Sequence, residues 1–139
     1  MIPLLAALGI LVVLSAAGLL RRAWRRRRLR TLEIDVTRAI GRAERAETRD
    51  DARDAWGEVA TLEAELAQAY PAATLDGGVA REGAVAASRK AGDATRAAEL
   101  ADRYRAEPGL TPARRDALDA ALRPLSAHRR AIRRQFEEP

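Results

Sequence analysis

Hydrophobic and polar positions divide the chain sharply near residue 20. Residues 2–20 carry no charged side chain and consist mostly of Leu, Ala, Ile and Val. A helix of that length is roughly 28 Å long, close to the thickness of the hydrocarbon core of a bilayer. Pro3 lies near the start of the stretch, where the missing backbone N–H does not weaken a helix. The pattern predicts a transmembrane helix over residues 1–20.

Two other interpretations of this apolar stretch are less favoured. A cleaved signal peptide normally has basic residues ahead of its apolar segment, and only Met1 precedes this one. A buried helix of a soluble protein would need a larger partner core than a chain of 139 residues offers.

A basic juxtamembrane segment follows over residues 21–30, where seven of the ten residues are arginine. Basic residues near a span are retained on the cytoplasmic side. We therefore expect the inner (cytoplasmic) membrane, with the N-terminus outside and the tail in the cytoplasm. Anionic headgroups should attract each arginine by about 1 kcal/mol, and a tryptophan is favoured at the interface. The residues predicted to contact lipid headgroups are Arg21, Arg22, Trp24, Arg25, Arg26, Arg27, Arg28 and Arg30.

The basic character of the chain comes from this one segment. The formal net charge is +5, but without the seven arginines 18 basic residues stand against 20 acidic ones. A nucleic-acid tether is an alternative function for residues 21–30. Neither an aromatic platform nor a second basic face accompanies the cluster, and this disfavours binding to nucleic acid. Lys90 is the only lysine in the chain, and this preference for arginine is typical of GC-rich bacterial or phage genomes.

Residues 31–70 are predicted to form an amphipathic helical segment that continues the membrane helix. Apolar residues recur at steps of three and four from Leu29 to Ala46, and again in another register from Ala55 to Ala69. Between these two seams the chain is polar on all sides. The helix therefore either bends near residues 48–54 or restarts there, with Thr48 or Asp50 as its N-cap. Tyr70 precedes a proline, which ends the helix.

The remaining chain is predicted to contain two further helices. Residues 71–78 form a loop, with Asp76-Gly77-Gly78 as a turn signal. A helix over 79–106 presents a face of alanines, which would allow a partner helix to approach closely. Residues 107–111 form a second loop, and Thr111-Pro112 opens a C-terminal helix over 112–137. Pro124 lies inside that last helix and should kink or split it.

The fold class is therefore all-α: a single N-terminal transmembrane helix followed by a helical hairpin, a loose three-helix bundle or a short coiled coil. The apolar seams supply the predicted helix-packing residues. These are Leu29, Leu32, Val36, Ile40, Val59, Leu62, Leu66, Leu118, Leu122, Leu125 and Ile132.

The residue types needed for catalysis or for metal binding are scarce. There is no cysteine, and His128 is the only histidine, so neither a disulfide nor a familiar metal site is expected. Most carboxylates have arginines three or four residues away, as on solvated helix faces, and none lies in an evident apolar setting. We expect no enzyme activity, no cofactor and no metal.

These patterns favour a single-pass membrane-anchored interaction or scaffold protein. Its helical faces would bind a protein partner or a second copy. An alternative is a phage lysis accessory, because holin-like proteins and the inner-membrane partner of spanin pairs share this architecture. The resemblance covers architecture alone. A spanin partner must also have its tail outside the cytoplasm, which contradicts the position of the arginines.

Overall fold

The computed structural model describes residues 2–123, and it describes side chains for residues 23–123. This part of the chain is helical, as predicted, and contains no strand. The five helices are α1 (Ile2–Glu44), α2 (Arg49–Ala69), α3 (Leu75–Lys90), α4 (Ala94–Arg105) and α5 (Pro112–Leu122).

Helix α1 runs for 43 residues without interruption, from the apolar stretch through the arginines and into the polar part of the chain. The predicted continuation of the first helix is therefore confirmed for the backbone. Within the part of the chain that the structure describes, no helix combines the length and the apolar character needed to cross a bilayer. Side chains of residues 1–22 lie outside the described set, and the transmembrane helix over 1–20 stays a prediction.

The segment predicted over 31–70 divides into two helices. Thr48 is the N-cap of α2, and its hydroxyl oxygen accepts a hydrogen bond from the backbone N–H of Asp51 at 3.1 Å. Of the two alternatives for this region, the restart at Thr48 is confirmed. The chain reverses at this point, so that Arg42 of α1 faces Glu58 of α2 with 2.6 Å between guanidinium and carboxylate.

The predicted loop over 71–78 is wrong in its second half, because α3 already begins at Leu75. Thr74 caps this helix: its hydroxyl accepts from the N–H of Gly77 at 3.1 Å and donates to the carbonyl of Pro71 at 2.8 Å. Gly77 is buried against the same turn, where a Cβ atom would lie 2.0 Å from the Pro71 oxygen. Here glycine permits a close approach inside a helix and does not mark a turn.

The helix predicted over 79–106 is broken into α3 and α4. Gly92 has φ +80°, and the N–H of Asp93 donates to the carbonyl of Ser88 at 2.9 Å, which closes the end of α3. The side chain of Asp93 then caps α4 by accepting from the N–H of Arg96 at 2.9 Å. The expected alanine face is lost, since Ala84 is buried while Ala98 is exposed.

The last helix opens as predicted, with Thr111 as N-cap and Pro112 in the first turn. It ends at Leu122, because Arg123 adopts an extended conformation before Pro124. The predicted range 112–137 is therefore too long for one helix. Residues 124–139, including Leu125, His128 and Ile132, lie outside the described residues.

Helix α2 packs on α1 and α3, and α3 packs on α4 and α5. This described part contains more helices than the predicted hairpin or three-helix bundle. The core is built largely from alanines, with Val85, Leu100, Tyr104 and Leu118 as larger members. The end at which residues 24–33 of α1 lie beside Ala69 and Tyr70 is called the arginine end below.

Candidate functional site

Most side chains of the arginine segment of α1 are exposed. Trp24 is 65% exposed, and Arg25, Arg26, Arg27, Arg28 and Arg30 are also exposed. The guanidinium of Arg28 lies 5.7 Å from the centre of the Trp24 ring, within the range of a cation–π contact. The side chains of Arg21 and Arg22 lie outside the described set. The six described side chains present positive charge and one large amphipathic ring to the surroundings.

One of these arginines also fastens the end of α2 to α1. The guanidinium of Arg25 donates a hydrogen bond to the carbonyl of Ala69 at 3.1 Å. The C-terminal end of a helix carries a partial negative charge that favours a nearby cation. Helix α2 has no basic residue in its own last turn, so a side chain from α1 supplies that cation.

A second contact joins the same two helices. The hydroxyl of Tyr70 donates a hydrogen bond to the carboxylate of Glu33. This hydrogen bond is the main cause that raises the pKa of Tyr70 to about 12, because the carboxylate stabilises the protonated phenol. The C-terminus of α2 is thus held on α1 directly beside the exposed arginines.

A shallow groove lies on each side of this junction. The larger groove has a volume of about 560 Å³. Its lining residues are Trp24, Arg25, Arg28, Leu29, Leu32, Glu65, Gln68 and Ala69. The lining residues of the second groove are Arg26, Arg27, Leu29, Arg30, Glu33 and Tyr70. Both grooves combine guanidinium groups with apolar side chains, a composition that suits an amphiphilic surface.

The predicted helix-packing residues occupy three kinds of position. Four are buried: Val36, Val59, Leu66 and Leu118. Five are partly buried and pack against the core: Leu29, Leu32, Ile40, Leu62 and Leu122. Two, Leu125 and Ile132, lie outside the described residues. Leu29 and Leu32 connect the core to the larger groove, so the packing seam of α1 reaches the arginine segment.

Arg81 forms a buried polar cluster that the sequence analysis did not anticipate. Arg81 is only 5% exposed. The Nε atom donates to the carboxylate of Glu107 at 2.8 Å, and Nη1 donates to the carbonyls of Gly77 at 2.7 Å and Tyr70 at 3.3 Å. The guanidinium carbon also lies 5.5 Å from the centre of the Tyr104 ring. The cluster ties the turn before α3 to the segment after α4.

Glu63 corrects the expectation that no carboxylate lies in a setting that raises its pKa. Its carboxyl group rests on α3 at Gly83, where a Cβ atom would lie 2.7 Å from the carboxyl carbon. Burial raises the pKa of Glu63 to about 7. Nothing in the local sequence distinguishes Glu63 from Glu65, because the difference arises from the packing of α2 against α3.

Within the part of the chain that the structure describes, no three His, Cys, Asp or Glu residues are grouped as metal ligands. Comparisons of the chain with protein-family models, with curated proteins and with solved structures found no match. The candidate site therefore rests on geometry alone. Its chemistry is the display of arginines, a tryptophan and two grooves at one end of a helical bundle.

Proposed function

We propose that the protein is a non-enzymatic scaffold held in the inner membrane by residues 1–20, with its helical bundle on the cytoplasmic side. The observation that carries this proposal is the continuity of α1. One helix contains the apolar stretch, the exposed arginines and the seam on which α2 packs. With no flexible linker between them, an anchor at residues 1–20 would hold the bundle at a defined height above the lipid.

The electrostatics of the arginine end support the same arrangement. The exposed arginines follow the apolar stretch directly, where anionic headgroups would lie if that stretch spans the bilayer. Translocation of this cluster is disfavoured, so the bundle would stay in the cytoplasm.

Alkaline carbonate extraction of the full chain from bacterial membranes tests the anchor. We expect the protein to remain in the membrane pellet. In a control variant that combines Leu11→Arg and Leu14→Arg, each charge costs about 2.5–3.5 kcal/mol at the centre of a span, and the protein should move to the supernatant. Release of the unmodified protein by carbonate would overturn the proposal.

The scaffold role requires a surface through which the bundle binds another protein. Ile34 on α1 is 45% exposed, and of the described helices only α2 packs on α1. We expect the detergent-purified chain to self-associate through this open side of α1. Light scattering coupled to size exclusion should show a larger particle for the natural chain than for Ile34→Asp. A natural chain that is monomeric and captures no partner would contradict the scaffold role.

A further inference from the structure

Two large apolar side chains are left open to solvent at the start of α3. Leu75 is 69% exposed and Val79 is 51% exposed. They are four residues apart in one helix, so they lie on the same face, one turn above the other. Only Trp24 and Ile34 join them as large exposed apolar residues among the described side chains.

This apolar pair lies at the arginine end. The turn that precedes α3 begins at Tyr70, which lines a groove together with Arg26 and Arg27. Ala69, one residue earlier, accepts the hydrogen bond from Arg25. Leu75 follows four residues after Pro71, whose carbonyl is held by the Thr74 cap. The start of α3 is therefore near the level of the arginines along α1.

The direction of α3 points both side chains toward that end. Side chains of an α-helix lean toward its N-terminus. Helix α3 runs away from the arginine end, because its first residues are bonded to the turn at Pro71 and its last residue, Lys90, packs over Trp56 near the start of α2. Leu75 and Val79 consequently lean toward the side on which the apolar stretch of α1 lies.

The spacing along α1 brings this end close to the headgroups of a bilayer. Arg27 follows Leu20 by seven residues, which is about 10 Å of helix. The headgroup layer extends roughly 5–8 Å beyond the hydrocarbon on each side. A tilt of about 20°, usual for transmembrane helices, would lower one side of the bundle by several ångströms. If that side is the one that carries α3, the start of α3 would reach the headgroup layer.

We propose that Leu75 and Val79 form a second membrane contact, in which the bundle dips two apolar side chains into a lipid surface rich in anionic headgroups. The contact rests on the proposed function, since it requires an anchored α1. Charge complementarity selects the lipid: Arg25, Arg26, Arg27, Arg28 and Arg30 are exposed at this end. Asp76 is the one acidic residue in the first turn of α3.

The chain contains no cysteine, so single-cysteine variants can carry a spin label without further changes. The full-length protein would be reconstituted into vesicles of phosphatidylglycerol and phosphatidylcholine. Labels at Leu75→Cys and Val79→Cys test the contact. A label at Ala94→Cys, exposed at the start of α4, is the aqueous control, and a label at Leu11→Cys reports the anchor.

Collision rates with oxygen and with a water-soluble nickel complex measure the depth of each label. We expect a several-fold fall in nickel collisions at residues 75 and 79 relative to residue 94, and a smaller fall in vesicles of phosphatidylcholine alone. Lipid exposure at residue 11 with full aqueous exposure at residues 75 and 79 would overturn the second contact and leave the anchor intact. Aqueous exposure at residue 11 would overturn both. Spin–spin broadening at residue 75, in detergent and in lipid, would show that the labels of two copies lie close together. The Leu75 and Val79 surface would then bind a second copy, and the lipid contact would be overturned.

Discussion

Arg81 shows how a charged residue can organise this small core. A guanidinium that leaves water needs an opposite charge and hydrogen-bond acceptors around it. Arg81 donates hydrogen bonds to the carboxylate of Glu107 and to the carbonyls of Tyr70 and Gly77. The acceptors come from the turn before α3, from α3 itself and from the segment after α4. The ion pair thus joins parts of the chain that are well separated in sequence.

Arg81→Met should destabilise the bundle by about 3 kcal/mol, because it leaves Glu107 and two carbonyl groups without their partner. Urea unfolding in detergent, followed by far-UV circular dichroism, measures the change. Arg42→Met is the matched control: its ion pair with Glu58 is about half exposed on both sides, and its loss should cost less than about 1 kcal/mol. Equal effects of the two variants would contradict the role of the Arg81 cluster.

Glu63 should make stability depend on pH. Its pKa in the folded protein is about 7, above the ordinary value of 4.5, so the folded state binds its proton more tightly than the unfolded state does. The protonated carboxyl group of Glu63 therefore contributes its full stabilisation below pH 4.5, and this stabilisation is lost as the pH rises through 7. Because the carboxyl keeps part of its solvent, we expect an effect of about 1–2 kcal/mol rather than the full value of the shift.

Glu63→Gln should remove this dependence and raise stability at pH 8 by about 1–2 kcal/mol, because no charge is then buried. Urea midpoints measured between pH 4.5 and pH 8 provide the test. Glu65→Gln, at an exposed position on the same helix, should leave the pH dependence unchanged. Parallel pH profiles for the natural chain and Glu63→Gln would contradict the assignment.

At the scale of the helices, glycine has different roles at two helical positions. A Cβ atom at Gly57 of α2 would meet nothing within 4 Å, whereas one at Gly77 of α3 would lie 2.0 Å from the carbonyl oxygen of Pro71. Gly57→Ala should therefore stabilise the protein by about 0.5–1 kcal/mol through helix propensity. Gly77→Ala should destabilise it by about 1–3 kcal/mol, because the turn before α3 must move.

Thermal unfolding of both glycine variants beside the natural chain measures these opposite effects. If both variants lose stability, α2 is packed more tightly around Gly57 than the structure indicates. If both gain stability, the close approach at Gly77 is wrong.

Helix boundaries were predictable where one residue dominates the local backbone. Thr48, Pro71 and Thr111 each act through a cap or through the restricted backbone of a proline, and the corresponding ends of α2 and the start of α5 lie where these residues indicate. Pro124 indicates a kink or a split within a helix over 112–137, whereas α5 ends at Leu122. The start of α3 is missed because Asp76-Gly77-Gly78 resembles a turn, whereas Gly77 lies inside the helix that Thr74 caps and makes room for the carbonyl of Pro71.

Tertiary contacts also explain the parts of the candidate site that sequence reasoning missed. The arginine segment is a local cluster and is visible in the sequence. The hydrogen bond from Arg25 to the carbonyl of Ala69 joins residues 44 positions apart. The ion pair of Arg81 with Glu107 joins residues 26 positions apart. Spacing along one helix carries no information about either contact, so only the packing of the helices reveals them.

At the scale of the whole molecule, α1 is the element that relates the bundle to its surroundings. Among the described helices it packs on α2, and the Arg25 and Tyr70 contacts fix their junction at the arginine end. An anchor in the first part of α1 would therefore set the position of the whole bundle. The cytoplasmic location of that bundle is the claim on which the proposed partners and the second membrane contact depend.

Labelling of single cysteines with a membrane-impermeant maleimide in bacterial spheroplasts tests this location most directly. Ile2→Cys, predicted to lie outside, should react in intact spheroplasts. Ala94→Cys, exposed on the bundle, should react only after detergent opens the membrane. Reaction of Ala94→Cys in intact spheroplasts would contradict the account.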